Sequence, residues 1–281
     1  MKSYKSFLKL GLVVLVFSVF VSCEDTATDV DNTIAIQNDT VKELISVNYA
    51  KFTMPPPVDL FINMWEMELN FSKDAVNSPD NLKNYNTSVR KAIGLGAYSS
   101  DLSYTSVYGQ NQLTMNYFQV SKKLADDLGL TEGFDQKIVQ RINDNLSNAD
   151  SLYNITKDSY SDAINQVASS EQAYLLPYIV FGGWIESIYV AAIAGDANKA
   201  NEVSINTFSE QGIFLENLID YYSTISKADP ENEDIKSILK DLNSIYELYN
   251  DALESDDMTL SQEQFDNIKS KVIVIREKWL M

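Results

Sequence analysis

Histidine is missing from the 281 residues altogether, and cysteine occurs once. No His-based catalytic triad, His-ligated haem, His or multi-Cys zinc site, or disulfide within the chain is available to such a sequence. Basic residues are scarce: Lys and Arg total 22 against 40 Asp and Glu, for a net charge of −18. That balance argues against a protein that tracks nucleic-acid phosphates, whose affinity rests on Lys and Arg. Helix breakers are sparse as well, with 10 Gly and 6 Pro, three of the prolines consecutive at Pro55-Pro56-Pro57. No Gly-rich phosphate loop, dinucleotide fingerprint, nucleophile elbow or metalloprotease motif occurs.

The first 22 residues have the layout of a secretory signal. Lys2, Lys5 and Lys9 form a positive start, and Leu10 to Val21 run almost wholly apolar. About 12 residues at ~1.5 Å each span roughly 18 Å, short of a ~30 Å hydrocarbon core. The sole cysteine, Cys23, follows directly after the small residue Ser22. This arrangement resembles the lipobox of bacterial lipoproteins, with Phe20 where Leu is usual, as in relaxed lipoboxes of Bacteroidota. The resemblance implies that Cys23 is lipidated and becomes the first residue of the mature chain. An ordinary signal peptide, or an uncleaved anchor, with a chance cysteine is the alternative. Loss of residues 1–22 removes Lys2, Lys5 and Lys9 and no acid, taking the charge from −18 to −21. Two or three acyl chains would hold such a chain on a membrane, while its own charge would keep it off anionic lipid.

Residues 23–38 are polar and acidic and read as a flexible tether. Glu24-Asp25 resembles the acidic signal that sends some Bacteroidota lipoproteins to the cell surface. Any acidic linker has the same look, so the surface-exposed and periplasmic faces of the outer membrane both stay open.

From residue 39 to 281 apolar residues recur at helical spacing. Phe265, Ile268, Val272, Ile275 and Trp279 form one stripe, with Ser261 and Gln264 placed as a capping box. Ile235, Ile238, Leu242, Ile245, Tyr249 and Leu253 form another, opened by Pro230 and the acids Glu231, Glu233 and Asp234. Further helices are expected near 39–52, 58–71, 81–107, 110–128, 134–146, 148–168, 171–194 and 198–226, with Gly129 and Gly195 as C-caps. Within 58–71, Trp65, Met67, Leu69 and Phe71 alternate with polar residues as in a strand, but no partner strand is evident. The sum is an all-α protein: one domain of about eight or nine antiparallel helices. The segments 94–104 and 181–189 echo each other, with small glycines, an aromatic, and an acid three residues before a tyrosine. Two related halves would explain the echo, and so would chance.

Asp101 and Glu186 stand out as acids inside runs of small, apolar and aromatic residues. Burial would raise their pKa unless a donor pairs with them. Tyr104 and Tyr189 lie three positions further on the same helix faces, and Trp184 neighbours Glu186. Three readings compete: a buried polar network closed by the tyrosines and by Arg90 or Lys91, a small-ligand or cation site, and a carboxylate pair for hydrolysis. Acid clusters at Asp144–Asp150 and Glu254–Asp257 lack the alternation and mid-loop Gly of a calcium loop. They read as caps and turns. The 16 tyrosines read mainly as packing residues.

The runs Lys91-Ala92-Ile93-Gly94-Leu95-Gly96-Ala97-Tyr98 with Asp101-Leu102-Ser103-Tyr104, Lys122-Lys123-Leu124-Ala125 with Leu128-Gly129, and Gly182-Gly183-Trp184-Ile185-Glu186 together resemble a signature of uncharacterised helical lipoproteins of Bacteroidota. Met54-Pro55 and Asn77-Ser78-Pro79 fit it loosely. The likeness spans most of residues 40–195. It implies address and fold, and carries no catalytic residues with it. The expectation is a lipid-anchored, non-enzymatic helical binding or scaffold module of the outer membrane, with no cofactor and no metal. A protein partner in the envelope would suit such a module. A small-ligand or cation binder, or a carboxylate-dependent hydrolase, is the alternative.

Overall fold

The computed structural model describes residues 39–51, 55–130, 136–145, 148–197, 205, 208–253 and 260–281. The expectations for the signal segment, Cys23, the tether and Glu254–Asp257 lie outside them. Ten α-helices are present among the described residues, and no strand. They are α1 (Asp39–Lys51), α2 (Pro57–Glu66), α3 (Ser88–Val107), α4 (Asn111–Asp127), α5 (Gln136–Asp144), α6 (Ala149–Ala168), α7 (Leu176–Ala197), α8 (Gln211–Ala228), α9 (Glu233–Leu253) and α10 (Gln262–Leu280). The fold is all-α, as the 3.6-residue spacing of apolar positions requires.

Local chemistry sets most helix ends. Pro57 starts α2, where its missing N–H costs no hydrogen bond. The Thr87 hydroxyl accepts from Arg90 N–H at the start of α3, and the Asn148 side chain accepts from Ser151 N–H at the start of α6. Ser261 and Gln264 form the expected capping box on α10. Gly129, at φ +73°, ends α4 in the left-handed conformation, with Leu130 N–H returning to the Ala125 carbonyl at 2.8 Å.

Four expectations need correction. The helix over 58–71 stops at Glu66, because Glu68 takes φ 60° and turns the chain out, so the alternating residues 65–71 straddle a helix end. The helix expected from residue 81 begins at Ser88, after a 3₁₀ segment, Pro79–Asn84. α7 runs through Gly195 to Ala197, so Gly195 is no C-cap. The fourth concerns direction.

At the centre α3 packs along α7. Ile93 lies against Gly182, Gly96 against Ile179 and Gly183, and Ser100 against Ser187. Both numbers rise together, so this pair runs parallel, not antiparallel. The two helices meet through the same small-xxx-small spacing, Gly96/Ser100 on one and Gly183/Ser187 on the other. A Cβ on Gly96 would sit 2.0 Å from the Ile179 carbonyl oxygen, and one on Gly182 would sit 2.0 Å from the Ile93 carbonyl oxygen. Only glycine lets the backbones come this close. Parallel neighbours need a long return, and 68 residues separate Val107 from Leu176.

The remaining helices cover this pair. α4 folds back along α3, α2 crosses both, and α10 runs antiparallel to α7, with Trp279 against Phe181 and Arg276 against Glu186. α8 and α9 form a hairpin whose stripe (Ile235, Ile238, Leu242, Ile245, Tyr249) is wholly buried. α7 is the one described helix apolar and long enough to cross a membrane, but 89% of that stretch is buried by its neighbours. It is the core helix of the body.

Candidate functional site

Beyond the glycine contact, the two singled-out acids meet. Asp101 from α3 and Glu186 from α7 lie in hydrogen-bonding contact, each with no exposed surface. α10 supplies the third member. Arg276 Nε and Nη2 donate to the two oxygens of Glu186 at 2.7 and 2.8 Å, a bidentate fork, and only 2% of Arg276 is exposed. The Tyr189 ring lies 3.9 Å from the guanidinium carbon and covers its face. Burial alone would pull Arg276 down, but the facing carboxylate outweighs it and keeps the guanidinium charged.

Two carboxyls and one guanidinium leave one negative charge too many for a dry site. Asp101 resolves the excess. Burial first, then the charge of Glu186, raises its pKa well above the ordinary carboxyl range, against the opposing pull of Arg276 and of the Asn77 N–H. Its Oδ2 accepts that N–H at 3.2 Å, while Oδ1 accepts no hydrogen bond from the described residues. A protonated Asp101 that donates to Glu186 satisfies both observations and brings the trio to neutrality.

The expected partners of these acids are elsewhere. Tyr104 does not reach Asp101: its hydroxyl accepts from Ser72 N–H at 2.9 Å, and its ring packs among Phe61, Phe71 and Tyr108. Arg90 donates to the Lys278 and Trp279 carbonyls at the end of α10, where cations suit the helix terminus. Lys91 lies 3.7 Å from Asp127. Tyr189 serves Glu186 only through Arg276.

Asn77 is the member that sequence reasoning passed over as a functional position. It is 1% exposed and uses every polar group it has. Its N–H goes to Asp101, its carbonyl accepts from Tyr117 at 2.9 Å, its Nδ2 donates to Tyr85 at 2.9 Å, and its Oδ1 accepts from Asn81 at 2.7 Å. Tyr98 donates to the Ser78 carbonyl at 2.8 Å and Tyr85 to the Leu280 carbonyl at 3.1 Å. Buried tyrosines thus bind the irregular 72–85 segment onto α3 and the end of α10. Burial pushes Tyr85 and Tyr104 up to about 12, so both remain neutral hydroxyls.

Trp184, the remaining singled-out residue, faces a different feature. With Ser187 it borders a cavity of about 240 Å³ between α2, α6, α7 and the start of α8. Its buried Nε1–H meets no acceptor among the described residues. Neither Asp101 nor Glu186 lines that cavity. Asp144, in the first acid cluster, ends α5 and accepts from Gln140, and Asn148 caps α6. No family model matches the chain, and no curated protein or solved structure matches it.

Proposed function

We propose that the chain is a lipid-anchored outer-membrane protein, held through Cys23, whose helical body is a non-enzymatic binding or scaffold module of the cell envelope. The observation that carries the non-enzymatic part is the enclosure of Asp101 and Glu186. Carboxylate hydrolysis of a sugar needs two carboxyls flanking a bond with room for substrate and water. Here the two carboxyls touch each other, both oxygens of Glu186 are taken by Arg276, and neither residue has exposed surface. The anchor part is supported by the basic start, the apolar run of 12 residues and the single cysteine placed after it. The scaffold part is supported by the acidic surface and by the effort spent on rigidity: a charged group, glycines at a backbone crossing and a tyrosine-bound loop all serve to fix one arrangement.

Two measurements test this reading. Labelling with radioactive palmitate should mark the wild-type chain and leave Cys23→Ala unmarked; label in both would refute the anchor. Mild-detergent purification of the tagged full-length protein from its own membranes should bring down a stoichiometric protein that is lost when residues 39–281 are deleted. A solitary protein would refute the scaffold role. Protease treatment of intact cells decides which face of the outer membrane carries the body.

A further inference from the structure

The cavity beside Trp184 has a chemistry of its own. Three aromatic residues, Tyr160, Trp184 and Phe214, border it, and Pro55 to Pro57 close one side. Two carboxylates belong to its wall and no Lys or Arg does, among the described residues. Asp59 is already bound, by the Tyr153 hydroxyl at 2.9 Å and by Lys157 at 3.2 Å. The side chain of Glu210, exposed at the start of α8, forms no ion pair or hydrogen bond with any of the described residues. The cavity is thus an aromatic and proline-walled hollow with one carboxylate, Glu210, that no described residue neutralises, on a protein of net charge −18.

Each feature narrows the occupant. An anion would meet Glu210 and the overall negative field. Aromatic faces attract a cation that has shed part of its water, above all an alkylated ammonium. A strongly hydrated metal ion needs several converging oxygens, and no three carboxylates of the described residues come together. A volume of about 240 Å³ is below the roughly 300–1,000 Å³ that drug-sized ligands occupy. We infer that this cavity binds a small organic ammonium ion, its alkyl body among Tyr160, Trp184 and Phe214 and its charge toward Glu210. The acid trio takes no part: it lies apart from the cavity lining and is closed by Arg276. This binding site goes beyond the scaffold reading and stands whether or not the chain carries a lipid or a protein partner.

The test is calorimetric titration of the full-length lipoprotein in non-ionic detergent with tetramethylammonium and with choline, alongside D-glucose and acetate. Saturable uptake of both ammonium ions, with none of acetate or glucose, is expected. Removing the charge in Glu210→Gln should weaken it about fivefold, and Phe214→Leu by about fivefold as well. Phe214 is half-buried, so Phe214→Leu could loosen the fold; Asn63→Trp gives a second variant. Asn63 is an exposed rim residue, and an indole there should plug the cavity and abolish uptake while the melting temperature stays put. Failure of both ammonium ions to bind, preference for glucose or acetate, or uptake unchanged in Glu210→Gln and Asn63→Trp would each overturn the inference.

Discussion

The acid trio and the cavity are both built on α7, and they are opposites. At the trio, Glu186 is locked by a bidentate arginine, and Gly182 lets the α3 backbone come within a distance no side chain would tolerate. At the cavity, Trp184 keeps an indole N–H that meets no acceptor among the described residues, beside a hollow of about 240 Å³. Buried charge and tight backbone contact tolerate almost no rearrangement, because each displaced group leaves another unsatisfied. A hollow bounded by rings and prolines tolerates much. The buried charges of α7 and α10 are spent on holding α3, α7 and α10 together, and the open space lies beside them.

The largest effect should come from splitting the ion pair. Arg276→Met strips Glu186 of its cation in the core, and Glu186→Gln strips Arg276 of its bidentate partner. Removing one partner of such a pair costs about 3–5 kcal/mol, so both variants should show a sharply lowered denaturation midpoint in urea. Replacing both at once, Glu186→Gln with Arg276→Met, should recover part of that loss. A double variant no better than the single ones would mean that the fork itself, not the stranded charge, dominates. Next in size is the backbone crossing. Gly96→Ala or Gly182→Ala forces the two helices apart, at about 1–3 kcal/mol or somewhat more for overpacking, again read from urea unfolding. Retained stability in either would show that α3 and α7 approach less closely than the 2.0 Å contacts require.

Asp101 makes the stability of the trio depend on pH. Its carboxyl pKa is raised on folding, mainly by burial and then by Glu186. The folded chain therefore holds a proton that the unfolded chain releases more easily. The stabilising contribution is complete below the ordinary carboxyl range and is lost as pH rises toward the raised value. Asp101→Asn keeps a neutral donor next to Glu186. It should fall within about 1 kcal/mol of the parent at acidic pH, and should gain on it steadily as pH rises above the ordinary carboxyl range. A melting-temperature difference that stays flat with pH would mean Asp101 is ionised in the fold.

Much of this was legible beforehand. The stripe Phe265, Ile268, Val272, Ile275 and Trp279 is buried as its spacing requires, and the Ser261 capping box forms. Asp101 and Glu186 were conspicuous because acids rarely sit in apolar runs. Arg276 was not, since an arginine near a chain end reads as solvated. The clue was positional: four residues after Val272 and three before Trp279, it falls on the buried face. The parallel direction of α3 and α7 was not legible, because a 68-residue return between them permits either sense. The cavity was not legible either. Its walls come from four helices and a proline run far apart in sequence, and nothing in local spacing brings Tyr160, Trp184 and Phe214 together.

Gly183 gives the smallest and most discriminating effect. It stands next to Gly182 in the same turn of α7, and sequence alone offers no reason to treat the two differently. Yet a Cβ on Gly183 would meet the Gly96 carbonyl oxygen at 3.6 Å and the Tyr160 hydroxyl at 3.9 Å, ordinary contacts both. Alanine inside a helix is favoured over glycine by up to about 1 kcal/mol. Gly183→Ala should therefore leave the melting temperature unchanged or raise it by about 2–4 °C, where Gly182→Ala lowers it. Equal damage from both substitutions would mean that the whole Gly-Gly pair, not the single residue facing Ile93, sets the distance between α3 and α7.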